Sequence, residues 1–331
     1  MTNRKFALLH HRITQWYAAS ARELPWRAPD ASPWSILVSE FMLQQTPVVR
    51  VQPVWEQWMQ RWPEAADLAA EPASEVVRAW GRLGYPRRAL RLHATAQHIV
   101  ELHGGQVPRT EKELLALPGV GTYTAAAVAS FAFGIPATVV DTNIRRVHAR
   151  LVKGCALPEP SYTAKEAALA ERLMPAHPAD PEELHPLANA WNISVMELGA
   201  LICTARNPRC GDCPVQDLCA WVAAGRPAPH YVPKGQAWAG TDRQVRGSMM
   251  AVLRHTPGPV GRTALVGGID LLRPLSDMQL ELGSETGSEA HEAWVVLYAL
   301  AADAEQRERC LAGLIGDGLA RETTAGVGLP A

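Results

Sequence analysis

The chain has 331 residues, of which 47% are hydrophobic and 20% charged, and its formal net charge is −1 at pH 7. This length suits two or three domains with substantial cores, and the near-zero charge argues against a uniformly basic nucleic-acid-binding protein. The N-terminus lacks the uninterrupted apolar stretch of a secretory signal, and the most apolar segment, 125–140, is broken by Gly134 and Pro136. We therefore expect an intracellular protein with no membrane span.

Most of the chain up to about residue 222 is predicted to be helical. Apolar residues recur at steps of three and four, and prolines and glycines mark the joints between these segments. The predicted helices cover 3–21, 34–44, 48–60, 86–103, 122–133, 143–152, 162–174 and 187–202. No convincing alternation typical of strands occurs there, so the pattern predicts an all-α body.

The last third of the chain has a different composition. Residues 223–241 are rich in Pro, Gly and Ala, which predicts a linker. In the smaller unit that follows, 242–331, we expect helices near 243–254 and 305–319. The segment between them, 265–300, is less regular, and Val295–Leu300 is predicted to form a strand.

Positive charge is concentrated in two places despite the neutral total. Five arginines lie in the segment 78–91, and a second group consists of Arg145, Arg146, Arg150 and Lys153. Affinity for nucleic acid depends on the charge at the contact face and not on the total. Two solvated helix faces would produce the same pattern, so charge alone leaves the partner open.

Four of the six cysteines fall within seventeen residues: Cys203, Cys210, Cys213 and Cys219. In a chain without a secretion signal, such a group more often ligates metal than forms disulfides, and four thiolates suit zinc or an iron–sulfur cluster. Zinc ribbons usually pair two C-x2-C knuckles, whereas only one is present. The spacing therefore favours a cubane cluster over zinc, with reduced spectator thiols as the remaining alternative.

A glycine-rich turn, Leu117-Pro-Gly-Val-Gly-Thr-Tyr123, lies between two predicted helices. Gly119 and Gly121 permit a tight turn whose backbone N–H groups face a concavity before a helix, and a DNA phosphate fits such an anion site. We include Leu117 and Val120 of this turn among the candidate DNA contacts. An ordinary helix–helix turn is the alternative.

Twenty residues beyond Gly121, Asp141 precedes a helical run. Free N–H groups and the helix dipole are expected to hold its carboxylate ionised, as for any N-terminal cap. A carboxylate fixed in this form can also stabilise the cationic sugar that develops when a glycosidic bond breaks. The two interpretations are compatible.

The hairpin, the Gly134–Pro136 turn, the V-D-T-N run at Asp141 and the cysteine spacing together resemble the helix–hairpin–helix DNA glycosylases that carry a 4Fe–4S cluster. The resemblance covers roughly residues 20–221. It implies that the four cysteines ligate a 4Fe–4S cluster with a structural and DNA-binding role, and that losing the cluster would destabilise the surrounding helices.

The resemblance also implies a mainly α fold with two helical subdomains. We expect a six-helix barrel with the helix–hairpin–helix at 29–136 and an iron–sulfur cluster subdomain formed by 1–28 and 137–222. The linker 223–241 then leads to a small C-terminal α or α+β unit, 242–331, with a winged-helix-like arrangement as one option.

Two positions distinguish branches of this family. Endonuclease III relatives carry a lysine, which forms a Schiff base and cleaves the strand, at the position of Tyr123, so a glycosylase without strong lyase activity is implied. Glu40 lies in an apolar helix, where it either faces solvent or lines a pocket that raises its pKa. The stretch from Glu40 to Thr46 resembles the adenine glycosylase motif. This implies that Glu40 protonates adenine N7 and that Gln44, Gln45 and Thr46 lie at the lesioned base pair.

Other matches fit the same branch. Arg27 of Leu-Pro-Trp-Arg matches an arginine that supports the active site, and Tyr85 matches a tyrosine that wedges into the duplex beside 8-oxoguanine. Arg82 and Pro86 depart from the family pattern around it. Arg88 is a further candidate DNA contact, and Tyr123 and Asn143 are expected to orient Asp141.

A second departure from the family pattern lies near Asn192, which matches a family asparagine. Ile193 replaces a family glutamate beside it. This puts in doubt a hydrogen-bond chain from there to Glu40.

The resemblance implies a cytoplasmic, nucleoid-associated bacterial monomer that excises adenine opposite 8-oxoguanine or guanine in double-stranded DNA. The C-terminal unit lacks the Phe-Ser-His loop with which many relatives read 8-oxoguanine, so discrimination is expected to be weaker or to depend on Tyr85 and Gln45. Two alternatives stay open: a thymine or uracil mismatch glycosylase on the same scaffold, and a non-catalytic iron–sulfur DNA-binding regulator.

Overall fold

The computed structural model describes residues 3–175, 186–232, 235, 237–267 and 288–331. Within these ranges the chain forms two compact units. The first consists of Met1–Glu40 and Gln106–Lys234, and the second of Phe41–Gly105 and Gly235–Ala331. Of the helices in the described ranges, none is both long and apolar enough to cross a bilayer.

The helices before residue 175 follow one another in short succession. They are α1 (Asn3–Ser20), α2 (Pro33–Leu43), α3 (Val48–Arg61), α4 (Ala65–Ala69), α5 (Ala73–Trp80), α6 (Arg87–His103), α7 (Glu111–Ala116), α8 (Thr122–Phe133), α9 (Thr142–His148) and α10 (Ala164–Leu173). Those after residue 185 are α11 (Pro186–Leu201), α12 (Ala220–Ala223), α13 (Asp242–His255), α14 (Arg262–Val266), α15 (Ser288–Tyr298) and α16 (Ala304–Gly316). Two short antiparallel strands, β1 (Arg321–Thr323) and β2 (Gly326–Gly328), end the chain.

All eight helices predicted before residue 222 are confirmed, with ends that differ by a few residues. The largest difference is at 143–152, where α9 ends at His148 and a π-helical turn, Ala149–Lys153, continues it. Short helices such as α4, α5 and α7 were not predicted, because five to eight residues hold too few periodic positions to stand out.

In the first unit, α11 packs against α1, α8 and α9. Asn192 of α11 fixes this packing, because its side-chain amide donates to Ser130 Oγ (3.1 Å) and to the Ala137 carbonyl (2.8 Å). Helices α11 and α9 also approach each other closely at Gly199, where a Cβ atom would lie 2.7 Å from Asn143 Cβ. Helix α9, which begins at Asp141, is therefore held against α11.

The C-terminal residues of the second unit contribute most of an apolar core around α13, α15 and α16. Helices 243–254 and 305–319 were predicted there and are confirmed as α13 and α16. The predicted strand Val295–Leu300 was wrong, because α15 runs to Tyr298 with Ala290, Ala293, Trp294 and Leu297 buried at helical spacing. Residues 268–287 of the irregular segment lie outside the described residues.

The described C-terminal elements suit the winged-helix-like option. Val260, after α13, forms a bridge with Val327 of β2, and the β1–β2 hairpin follows α16. Val77 of α5 is part of the same buried core, so this segment is packed against helix α5 and is not separate from it. The boundaries 29–136, 1–28 with 137–222, 223–241 and 242–331 remain a prediction.

Candidate active site and iron–sulfur ligands

Glu40 lies inside the first unit and not on its surface. Only 5% of its surface is exposed, which rules out the solvent-face alternative. Burial raises the pKa of Glu40 to about 7, although a hydrogen bond from Tyr123 works in the opposite direction. The nearby Asp141 charge raises this pKa further, and Arg27 lowers it. A carboxyl group in this condition can both donate and accept a proton near neutral pH.

Tyr123 is placed beside Glu40 by the first turn of α8, whose following residues, from Thr124 to Ser130, are small and buried. Burial, together with the charges of Glu40 and Asp141, raises the pKa of Tyr123 well above its usual value. The side chain therefore acts as a neutral hydroxyl donor. Because it carries no amine, it cannot form a Schiff base with a sugar.

Asp141 caps α9, as the sequence predicted. Its Oδ1 accepts from the Ile144 N–H (2.6 Å) and its Oδ2 from the Asn143 amide (2.7 Å). Burial nevertheless raises the pKa of Asp141 above its usual value, against the effect of these bonds. The N–H groups at the start of α9 favour the charged carboxylate of Asp141, whereas burial disfavours it. The pKa of Asp141 is therefore higher than capping alone predicts.

A chain of hydrogen bonds leads from Asp141 to the cysteine region. The Asn143 side-chain oxygen accepts from Arg146 Nη2 (2.7 Å), and Arg146 Nε donates to the Cys203 carbonyl (2.7 Å). Arg150 is buried as well, and it donates to Cys203 Sγ (3.4 Å) and to the Thr204 carbonyl (2.7 Å). Arg146 and Arg150 are therefore neither solvated nor placed to contact phosphate, which corrects both interpretations for these two members of the second positive group, whereas Lys153 is exposed.

The four predicted ligands lie together after α11. The thiols of Cys203, Cys210, Cys213 and Cys219 are close enough to influence one another electrostatically. The Arg150 guanidinium beside Cys203 would offset the negative charge of a thiolate-ligated cluster. Among the described residues, no group of His, Cys, Asp or Glu is close enough to hold a single metal ion. The preference for a cubane over zinc rests on the spacing of the four cysteines along the chain.

Glu197 of α11 is an ion-pair partner that the sequence interpretation missed. Its side chain is completely buried, and it accepts two bonds from the Arg22 guanidinium (both 2.7 Å), one from the Arg22 backbone N–H (3.1 Å) and one from Arg27 (3.0 Å). Burial works to raise the pKa of Glu197, but the two arginines outweigh it and leave this pKa below its usual value. Arg27 thus pairs with Glu197 and lies close enough to Glu40 to lower its pKa, and its support of the active site stays a prediction. Nothing in the residues around Glu197 in the sequence indicated that this side chain is buried and paired with arginines.

The glycine hairpin is exposed through its backbone. Gly121 is the N-terminal cap of α8, and Gly119 has a positive φ of 77°, which glycine adopts without strain. The side chains of Leu117 (3% exposed) and Val120 (8% exposed) are buried. The side chains of Leu117 and Val120 are therefore not available to DNA, whereas the backbone at Gly119 and Gly121 is exposed and can face a phosphate.

In the second unit, the Arg88 guanidinium binds the backbone of two turns, one around Gln44 and one around Gly84. Its guanidinium donates to the carbonyls of Met42 (3.0 Å) and Gly84 (3.0 Å) and to Thr46 Oγ1 (2.8 Å). Burial lowers the pKa of Arg88 to about 10, which leaves it charged at neutral pH. Arg88 and Thr46 are both buried, so their predicted direct DNA contacts are corrected to support of the turns. Gln45, by contrast, is exposed.

Two family profiles match the chain. Residues 38–173 match the HhH-GPD superfamily of base excision DNA repair proteins, and residues 203–219 match the iron–sulfur binding domain of endonuclease III. The match over 203–219 confirms the predicted 4Fe–4S cluster. Cys203, Cys210, Cys213 and Cys219 all lie in the matched segment, and their role as its ligands stays a prediction.

Curated relatives extend the likeness beyond these domains. An adenine DNA glycosylase from Mycolicibacterium smegmatis is 44% identical over 95% of this chain and 93% of that protein. Its counterpart from Mycobacterium tuberculosis is also 44% identical, over 95% of this chain and 90% of that protein. A thymine-DNA glycosylase from Aeropyrum pernix is 35% identical over 64% of this chain and 93% of that protein.

Solved structures agree on the fold. A thermostable thymine-DNA glycosylase superposes with a TM-score of 0.59 and 31% identity over 67% of this chain and 98% of its own. Endonuclease III in a non-covalent DNA complex gives a TM-score of 0.55 at 23% identity, over 68% of this chain and 98% of its own, which shows the fold alone.

The protein is thus a DNA-binding member of the helix–hairpin–helix base excision repair superfamily, with an iron–sulfur domain. Within this superfamily, the chain belongs to the adenine DNA glycosylase family.

Proposed function

We propose that this protein removes adenine from A·8-oxoguanine and A·G mispairs by hydrolysing the N-glycosidic bond, without strong lyase activity. The observation that carries the proposal is the buried Glu40 carboxyl, whose pKa of about 7 leaves a proton to donate. The likeness to mycobacterial adenine DNA glycosylases, which includes the C-terminal segment, supports it. We further propose that it acts as a monomer on nucleoid DNA in the bacterial cytoplasm.

The proposed reaction begins with a flipped adenine in the first unit. Glu40 donates its proton to adenine N7, and the C1′–N9 bond breaks with its electron pair moving to the base. The positive charge left on the sugar is stabilised by Asp141, which Asn143 orients through a 2.7 Å bond. The Glu40 carboxylate then accepts a proton from the water that attacks C1′, which restores its starting form.

The other predicted DNA contacts have supporting roles in this proposal. The exposed backbone of Gly119–Gly121 binds a phosphate at the start of α8. Gln45 and Tyr85 are exposed on the second unit, and they enter the base stack when adenine leaves it. Gln44 supports the same turn, because its carbonyl accepts from Arg88 (2.5 Å). The cluster, when bound, supplies a rigid, charged link between helices.

A panel of duplexes tests the substrate. We expect base release from A·8-oxoguanine and A·G and none from T·G or U·G, measured as single-turnover strand scission after alkali. Release of thymine or uracil instead would favour a thymine or uracil mismatch glycosylase. The similarity to a thymine-DNA glycosylase is the reason for including this second candidate. Binding without release of any base would indicate a non-catalytic regulator.

The pKa of Glu40 predicts how activity depends on pH. Because the protonated form is the acid, adenine release should fall by about tenfold per pH unit above a pH near the Glu40 pKa of about 7. Single-turnover rates between about pH 6 and about pH 9 measure this. Tyr123→Phe removes a hydrogen bond that favours the Glu40 carboxylate, so the pKa of Glu40 should rise. The fall in activity of this variant should therefore begin at a higher pH than in the wild type. A flat profile in both proteins would contradict the assignment.

A further inference from the structure

The turn that carries Tyr85 has an unusual backbone. Tyr85 adopts a φ of +48°, between Gly84 at +83° and Pro86, which precedes α6. Left-handed backbone costs a non-glycine residue free energy, and it persists only where surrounding contacts enforce it. Gln45 is also left-handed, with a φ of +57°. These two exposed residues adjoin carbonyls that accept hydrogen bonds from one buried guanidinium, that of Arg88.

Two guanidinium groups contact the Tyr85 ring. The Arg88 Cζ lies 5.6 Å from the ring centroid, and the Cζ of Arg243, from the C-terminal segment, lies 4.8 Å from it. The same Arg243 lies 5.6 Å from the exposed Trp238 ring. These distances are within the range of cation–π attraction. Arg243 therefore contacts both Tyr85 and Trp238.

Arg243 projects from a rigid helix start. Thr241 caps α13 by accepting from the Gln244 N–H, and its hydroxyl donates to the Trp238 carbonyl (2.8 Å). Asp242 accepts from Gln306 (3.0 Å) and Arg309 (3.0 Å) of α16. Because these bonds hold Thr241 and Asp242 in place, the backbone from which the Arg243 side chain projects is fixed.

The C-terminal segment also holds both helices that flank the turn. Arg254 Nε donates to the Val77 carbonyl of α5 (3.2 Å), and Arg78 donates to the Arg254 carbonyl. On α6, Arg87 pairs with Asp317 (3.3 Å). The ends of the 81–86 turn are thus attached to the segment whose Arg243 contacts Tyr85.

We propose that Arg243 is a positioning residue that holds the Tyr85 ring ready to enter the base stack, so that the C-terminal segment contributes to mispair recognition through Tyr85. This rests on the proposed function of Tyr85. Holding the ring in advance removes the entropy cost of immobilising it on binding. The segment need not place a helix in a groove for this contribution.

The test compares Arg243→Gln with wild type on an A·8-oxoguanine duplex and on the same duplex without the mispair. We expect the variant to bind the mispaired duplex about fivefold more weakly, with unchanged affinity for undamaged DNA. The rate at saturating enzyme should stay the same, and 2-aminopurine beside the mispair should report less unstacking. In a Tyr85→Ala background, Arg243→Gln should have no further effect. Arg243→Lys should recover part of the loss.

Arg321→Gln removes another exposed arginine of this segment, on β1, and serves as the matched control with affinity as in wild type. Equal loss on both duplexes, with a salt slope reduced by about one, would identify a phosphate contact and overturn the proposal. So would an effect of Arg243→Gln that persists without Tyr85. If the wild type shows no preference for the mispair, the proposed function itself fails. Truncation before residue 235 would not serve, because it exposes the core around Val77.

Discussion

Glu40→Gln is expected to lower adenine release by about a thousandfold while leaving affinity for the A·8-oxoguanine duplex unchanged. Glutamine keeps the shape of the side chain and can accept the Tyr123 hydrogen bond, but it has no proton of suitable acidity for N7. Single-turnover release and equilibrium binding, measured on the same duplex, separate the two effects. A variant that retained more than about a tenth of the rate would contradict the assignment of Glu40 as the acid.

The same substitution should change stability in a direction set by pH. Burial raises the pKa of Glu40 above its value in the unfolded chain, so the wild type loses stability as the pH rises through about 7. Glu40→Gln carries no charge and should not show this loss, so its unfolding midpoint should exceed that of the wild type above neutral pH. Glu101→Gln, on an exposed position of α6, is the control and should alter neither rate nor midpoint.

Glu197→Ala is expected to have the largest effect on stability. It removes a completely buried carboxylate and leaves Arg22 and Arg27 without their shared partner. Breaking a buried ion pair from one side typically costs 3–5 kcal/mol, and we expect about 3 kcal/mol because Arg22 keeps a third of its side chain exposed. Urea unfolding, followed by helical circular dichroism, measures this.

A matched surface pair gives the control for Glu197. Asp217 binds Arg12 (2.8 Å), but 61% of its side chain is exposed, so Asp217→Ala should change the unfolding free energy by less than about 1 kcal/mol. Equal costs for the two substitutions would show that burial of Glu197 contributes nothing. Glu197→Gln should fall between them, because it keeps hydrogen-bond acceptance but loses the charge.

Local patterns in the sequence determined much of the architecture. The long helices were predicted because their apolar residues repeat over three or more turns, and the structure confirms them. The iron–sulfur ligands were predicted because all four cysteines lie within one short segment. Tyr123 in place of a lysine also needed no tertiary information, since it concerns the chemistry of one side chain.

Only the tertiary structure decided which polar groups are buried and with what partners. The apolar neighbours of Glu40 were compatible with either a surface or a buried face, and burial is the main cause that raises its pKa to about 7. Arg88 was expected at DNA, but the carbonyls that it binds belong to turns around forty residues apart, at Gln44 and Gly84. Glu197 meets Arg22 across 175 positions. Desolvation and ion pairing depend on contacts that sequence separation hides, whereas periodicity and ligand spacing are local.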